Sequence, residues 1–411
     1  MSQALYDLPE GWEWVTIADL INKKGLFTDG DWVESKDQDP DGEIRLIQLA
    51  DIGVGVFRDK SDRFLTKDKA LELKCSFLNE GDILFARMPD PIGRACLFPK
   101  ISQTCVTVVD VSIIRPFNEN VLSNWLVNVI NSPSFHREVL SLQKGTTRKR
   151  ISRTNLSSIK LPLPPLAEQT RIVEKLDAVL SRIDTAIDEL QQSLALVDAM
   201  FKSGLDGVFA GLALLYNATA LSQVVKINSG IALPSIFKES HASGAIPFYK
   251  VAQMNNHTEI MTGSDILFSS EVSKAHKVTV FPKGSVLIPK RGGAILTNKK
   301  RILVEDASYD SNIMGLKANN ELISDEYLFA FMQSIDLSDF VDASTIPQIN
   351  NKHVDQMMIP VPSLSEQEKA VKHIIVLTNH TTQLKTELTA KIGMFNQLKA
   401  SVLDGAFRGL I

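Results

Sequence analysis

The chain has 411 residues, 44% hydrophobic and 22% charged, with 22 Gly, 17 Pro and a net charge of −4. That length predicts two or three domains, and the composition excludes a disordered chain, a collagen-like repeat and a disulfide mini-protein. The slight negative charge argues against adhesion to nucleic acid through bulk charge but leaves room for local patches.

No run approaches the roughly 18 apolar residues of a membrane span, Gly211 to Tyr216 being the nearest. Met1 to Glu10 lacks the basic start of a signal peptide. Three cysteines, Cys75, Cys96 and Cys105, form no CxxC and no even framework, which predicts a reducing, cytoplasmic setting.

In chain order, β-type runs are expected at residues 45–49, 82–86 and 105–114, followed by a short helix at 122–130. After Pro164 and Pro165 a proline-free segment runs from Glu168 to about Ser203. Its apolar residues fall at Ile172, Leu176, Val179, Ile183, Ala186, Leu190, Val197 and Met200, the spacing of a coiled-coil seam. About 35 residues would make a rod of roughly 50 Å. Further β-type runs follow at 285–289 and 302–304 and a helix at 326–334. A second rod carries Ile374, Leu377, Leu384, Leu388, Phe395, Leu398 and Val402, interrupted by Thr381 and Lys391.

The chain repeats itself. Leu161-Pro-Leu-Pro with Glu168-Gln169 returns as Ile359-Pro-Val-Pro with Glu366-Gln367, an offset of 198, and the same offset carries Leu205-Asp-Gly-Val-Phe-Ala-Gly-Leu onto Leu403-Asp-Gly-Ala-Phe-Arg-Gly-Leu. Weaker echoes link residues 44–52 with 246–254, and Gly81-Asp-Ile-Leu with Gly284-Ser-Val-Leu. A tandem duplication results, with a globular block (1–164), a helical block (165–213), a second globular block (214–362) and a second helical block (363–411). The first rod carries −4 and the second +2, so modest attraction accompanies an apolar seam formed by Leu176, Ile183, Leu190 and Val197 with Ile374, Leu384, Leu388 and Phe395. Two ordinary amphipathic helices on a common core are the alternative. The fold class is α/β (α+β): two mixed domains separated by two long helices, in a pseudo-two-fold tandem repeat.

Enzyme motifs are sparse. GxxxxGK[ST], HExxH and GxSxG are absent, Asn131-Ser-Pro-Ser-Phe135 has the wrong spacing for a methyltransferase, and the histidines show no metal-ligand spacing. His136, His241 and His257 read as solvated, and Arg291-Gly292-Gly293 is a weak anion-loop signal. Basic-polar stretches are more informative. Lys144, Thr146, Thr147, Arg148, Lys149, Arg150 and Arg153 crowd five cations and two hydroxyls just before the first rod. Lys and Arg neutralise phosphates, and Arg can also grip guanine bidentately. Before the second rod stand Ser344, Thr345, Gln348, Asn350, Asn351 and Lys352, where amides suited to adenine replace charge. Arg87 and Arg94, and Lys290 and Arg291, follow β-type runs in Pro- or Gly-bearing loops, and Lys299 lies in a further basic turn. A solvated charge run, or cations capping hairpins, is the alternative for each.

Pro162-Leu-Pro-Pro-Leu-x-Glu-Gln, its repeat at 360–367, the Leu8-Pro-x-Gly-Trp12 opening and the GDIL…R strings together resemble the specificity subunits of type I restriction–modification systems, over the whole chain. The resemblance implies two target-recognition domains, each reading one half of a split site on double-stranded DNA. It implies that the two helices run as an antiparallel coiled coil, a spacer that docks two methyltransferase (modification) subunits, with restriction/translocase subunits beyond them. Catalysis would be absent from the chain itself, with S-adenosylmethionine, ATP and Mg used by the partners and no cofactor, metal or membrane by this subunit. Two half-sites one duplex turn apart, roughly 34–36 Å, would suit such a spacer. A stand-alone target-recognition protein and a coiled-coil scaffold whose globular ends bind protein remain the alternatives.

Overall fold

The computed structural model describes all residues except 1–5, 22–24, 90, 117–119, 146–148, 238–241, 257 and 342–345. The chain folds into two compact units: Met1–Leu190 with Ala390–Ile411 (unit 1), and Gln191–Thr389 (unit 2). The linear order of blocks and the compact units differ in one respect. Each unit takes the start of the long helix that follows its own globular block and the end of the other long helix.

In unit 1 a four-stranded antiparallel sheet has the order Leu26–Asp29, Val111–Arg115, Ile83–Ala86, Ala95–Leu97. A three-stranded sheet, Phe64–Leu65, Ile44–Ile47, Cys105–Thr107, lies beside it in the topology. The single β run expected at 105–114 is thus two strands in different sheets, separated by a turn in which Val111 N–H donates to Val108 O. Unit 2 repeats the plan with Val225–Ser229, Ile313–Ala318, Val286–Pro289, Arg301–Ile302 in one sheet and Ala242–Ser243, Leu267–Phe268, Ile246–Tyr249, Ser308–Tyr309 in the other. In both units a two-stranded ribbon leads into the long helix: Glu13–Thr16 with Lys160–Leu163, and Ala218–Ala220 with Met358–Pro360.

The repeated motifs have structural causes. Gln169 is fully buried; its amide donates to Asn120 O (2.7 Å) and Pro164 O (2.9 Å) while its oxygen accepts from Leu122 N–H (2.9 Å). Gln367 repeats the clamp on Leu322 O, Pro362 O and Ser324 N–H at 2.8, 2.9 and 2.9 Å. Each Gln therefore ties the first turn of a long helix to the helix of the preceding block. Leaving these main-chain groups unpaired would cost about 1–3 kcal/mol each.

Phe407 of the second helical repeat seats edge-on against the buried Trp125 (centroids 5.0 Å), in a unit 1 core that includes Leu20, Phe85, Leu161, Leu176 and Leu403. Its counterpart Phe209 packs on Tyr327 (5.6 Å) and Phe331 (5.4 Å) in the unit 2 core. Burying each ring contributes about 1.5–3 kcal/mol. Trp125 Nε1 and Tyr327 Oη both donate into the ribbon, to Pro162 O and Pro360 O.

The long helices span Leu166–Leu215 (50 residues) and Leu364–Ala406 (43 residues). The first runs past the expected stop at Gly204, because nothing but propensity opposes continuation through Gly204, Gly207 and Gly211. At Gly204 the missing side chain has a use: a Cβ there would stand 2.5 Å from Leu377 Cδ2. Within each unit the two helices run antiparallel. In unit 1 Lys399 pairs with Asp184 (2.6 Å) and Arg171 donates to Ile411 O (2.6 Å); in unit 2 Lys385 pairs with Asp198, and Gly204 faces Leu377.

The seam needs one correction. Leu176, Ile183, Val197 and Ile374 are buried, and Leu190, Leu388 and Phe395 are half-buried, but Leu384 is 40% exposed. Seven-residue steps from Ile374 fall on Thr381, Leu388, Phe395 and Val402. Thr381, read from sequence as an interruption, is itself in the seam at 4% exposure; its hydroxyl donates back to Leu377 O (2.9 Å), which makes a polar residue tolerable there.

Among the described residues no helix is long and apolar enough to cross a membrane, and no cluster of three or more potential metal ligands occurs. Cys75, Cys96 and Cys105 are unpaired buried thiols, pushed up to about 12, 12 and 11 chiefly by burial.

Candidate nucleic-acid interface

In unit 1 the basic stretch before the first long helix is brought beside the loop after the Ile83–Ala86 strand. Lys144 and Arg150 close a hairpin with paired main-chain bonds of 2.8 and 2.9 Å. The next residue, Ile151, is fully buried; its N–H donates to Arg87 O, and its carbonyl accepts from Arg87 Nε (3.1 Å). Unit 2 builds the same junction. Ile349 is buried and donates to Lys290 O (3.0 Å), Gly292 N–H donates to Pro347 O (2.9 Å), and Arg291 bridges Gln348.

Two residues expected to meet DNA, Arg87 and Arg94, are buried. Arg87 is 7% exposed, ion-paired with Asp29 at 2.7 Å, and holds the hairpin base through Ile151 O. Arg94 is 6% exposed, and its guanidinium donates to Ile52 O (2.6 Å), Leu49 O (2.8 Å) and Pro91 O. Both have turned inward to satisfy carbonyls that the irregular loops leave without ladder partners. They shape the interface from behind.

The remaining residues divide by placement. Lys144, Lys149 and Arg153 are exposed; Arg153 opens a short helix capped by Ser152 and also donates to Phe27 O (3.3 Å). Arg150 is part-exposed and donates to Asp110 Oδ1 at 2.8 Å. Arg291, Asn351 and Lys352 are exposed, Gln348 is half-buried, and the Asn350 oxygen caps the helix Asn351–Val354 by accepting from Lys352 N–H. Lys290 donates to Ser229 Oγ (3.0 Å), and Lys299 to Asn255 Oδ1 (2.8 Å). Thr146, Thr147, Arg148, Ser344 and Thr345 lie outside the described residues.

Sequence reasoning missed a cleft of about 380 Å³ beside the hairpin, lined by Asp31, Trp32, Glu34, Gln48, Asp110 and Arg150 among others. Trp32 is 67% exposed, with Nε1 donating to Glu34 (3.2 Å), and burial pushes the Asp31 carboxyl above its usual range. An indole left in water in the first turn after a strand was the available signal.

The structure thus holds two diverged copies of one loop platform, each fixed to the base of a long helix. The chain belongs to the type I restriction modification DNA specificity domain family, whose model matches residues 9–194 and again 216–394. It is 22% identical over 304 residues to the type I restriction enzyme EcoBI specificity subunit of Escherichia coli, covering 67% of this chain and 64% of that one. With the EcoKI specificity subunit of Escherichia coli strain K12 it shares 20% over 324 residues, 72% of this chain and 67% of that one. With the Methanocaldococcus jannaschii protein named as a putative type I restriction enzyme MjaX specificity subunit it shares 19% over 402 residues, 90% and 87% of the two chains. The chain spans about a third of the E. coli EcoEI and EcoAI specificity subunits in the matched region.

Among solved structures, a chain from a study of complex assembly in the type I R-M system aligns over 99% of this chain and 100% of that one, with TM-score 0.77 and 19% identity. The HsdS subunit of Thermoanaerobacter tengcongensis aligns over 100% of both chains with TM-score 0.52 and 19% identity. These likenesses show the fold.

Proposed function

We propose that this chain is the DNA-reading subunit of a type I restriction–modification complex, with the loop platform of each unit reading one half of an asymmetric bipartite site on duplex DNA. One observation carries the reading. The same main-chain junction, Ile151 on Arg87 and Ile349 on Lys290, presents a different set of polar side chains in each unit. A conserved frame with exchanged side chains is what independent reading of two unlike half-sites requires.

In this reading residues 1–164 and 214–362 are the target-recognition domains, and 165–213 and 363–411 the spacer and docking surface for two methyltransferase subunits. Restriction/translocase subunits would join through them. The chain performs no chemistry of its own, and S-adenosylmethionine, ATP and Mg serve the partners. Lys144, Lys149, Arg153, Arg291 and Lys352 would meet phosphates, each contact steepening the salt dependence of log K by about 0.9. A cytoplasmic location follows from the substrate.

The test is a chimera carrying residues 1–160 of a relative, expressed with its methyltransferase and read by methylome sequencing. One half of the modified site should change and the other stay. A change in both halves, or in neither, overturns the reading.

A further inference from the structure

The hairpin of unit 1 and its counterpart differ in a paired way. Ile151 and Ile349 occupy equivalent places, since each donates to the residue following the central strand, Arg87 or Lys290. The residues just before them, Arg150 and Gln348, are therefore equivalent. Asp110 and Asn312 are equivalent too, because their carbonyls accept from Arg87 N–H (2.9 Å) and Lys290 N–H (2.7 Å). Where unit 1 has Arg150 and Asp110, unit 2 has Gln348 and Asn312: both charges are exchanged for amides together.

We infer that Arg150 is the guanine-reading side chain of unit 1, buttressed by Asp110, and that Gln348 is the adenine-reading side chain at the corresponding place in unit 2. This rests on the DNA-reading function proposed above and assigns its base contacts. Three observations favour a base edge over a phosphate for Arg150. First, its main chain is fixed on both sides, by the Lys144 hairpin and by the buried Ile151, so the side chain starts from a rigid point. Second, Nη2 donates to Asp110 Oδ1 (2.8 Å) and touches Met88 Sδ (3.8 Å), which orients the guanidinium plane while its side chain stays 43% exposed. Third, the cleft beside it is lined by three carboxylates, Asp31, Glu34 and Asp110, of which Glu34 is paired with Lys36 and Asp110 with Arg150 itself. Carboxylate oxygens can accept from the amino groups that base edges present but offer a phosphate no donor. An Arg held by a carboxylate keeps donors in a fork that matches guanine O6 and N7, and a Gln offers one donor and one acceptor to adenine N6 and N7. Asp110 is a positioning residue: it acts through Arg150.

The experiment is selection from a randomised duplex library with the full chain in complex with its methyltransferase. The parent should enrich a bipartite motif with a G·C pair in one half and an A·T pair in the other. Arg150→Ala should lower discrimination at that one G·C pair by roughly ten- to a hundredfold and leave the other half intact. Asp110→Asn should weaken preference at the same pair, and Arg150→Lys, which keeps the ion pair but loses the fork, should not restore it. Gln348→Ala should relax one position of the other half. If Arg150→Ala enriches the parental motif at every position, or Arg150→Lys restores full discrimination, the assignment is overturned while the DNA-reading function stands. A parent that enriches no motif overturns the function itself.

Discussion

The two units share a frame to within a few residues yet differ in how they use charge inside it. In unit 1 the residue after the central strand is Arg87, buried and ion-paired with Asp29; in unit 2 it is Lys290, half-buried and bonded to Ser229. The edge strand reverses the trend. Leu84 pairs with Cys96 and Leu287 with Arg301, so unit 1 places Ala95 and Cys96 where unit 2 buries Lys300 and Arg301. Arg301 is satisfied by Asn256 Oδ1 (2.9 Å), Asn256 O (2.8 Å) and Lys300 O (2.7 Å), and Lys300 by Asn298 Oδ1 (2.6 Å) and Ile335 O. Duplication thus preserved main-chain bonds, Gln clamps and aromatic plugs, while each copy found its own way of neutralising interior charge. Divergence was permitted where a side chain serves one unit and resisted where it serves the junction of block and helix.

That contrast can be broken by mutation. Leu176 is fully buried in the unit 1 core, so Leu176→Asp should cost more than about 4 kcal/mol in denaturant titration or prevent folding. Leu384→Asp, on the exposed side of the second helix, should stay within about 0.5 kcal/mol. Equal losses would return Leu384 to the seam.

Arg87→Ala leaves Asp29 with Ser112 Oγ as its remaining side-chain donor and frees Ile151 O, at a cost of about 2–3 kcal/mol, against about 1 kcal/mol for Lys290→Ala. Urea melts of the two variants should differ accordingly. The Gln clamps predict symmetry instead: Gln169→Ala and Gln367→Ala should each cost about 2–3 kcal/mol and agree within about 0.5 kcal/mol.

The fourth test uses pH. Burial lowers the Lys300 amine to about 8, below its ordinary 10.5, so between these values the unfolded chain holds a proton that the folded chain has released. Stability contributed by this group therefore rises as pH climbs from about 8 to 10.5, and the penalty for folding it charged is fully present below 8. Lys300→Met should flatten that slope, and the difference between parent and variant melts from pH 7 to 10 should change by about 2 kcal/mol.

Much of this architecture was legible from residues alone. The 198-residue offset located both long helices, and hydrophobic spacing identified the buried Leu176, Ile183 and Ile374. Leu384 was misjudged because residue type outweighed phase: a Leu attracted the seam, while the heptad passed through Thr381. Arg87 and Arg94 misled for a different reason. A cation after a strand reads the same in sequence whether it faces solvent or a carbonyl, and only the loop geometry decides. The continuation of the first long helix past Gly204 was hidden because glycine there serves close packing with Leu377, not termination. The two Gln residues were visible as a repeated string, but their use as three-bond clamps depends on where Asn120, Leu122, Leu322 and Ser324 fall in space.

The division of the chain between units also bears on the order in which they are completed during synthesis. Every residue of unit 2 lies within Gln191–Thr389, whereas unit 1 waits for Ala390–Ile411 to deliver Leu403 and Phe407 against Trp125. The unit whose first strand leaves the ribosome earliest is therefore finished last. Until it is, Trp125 has only Trp12 packed edge-on against it, and the side that Phe407 covers stays open to water, as transiently exposed apolar surface does in a partly folded chain.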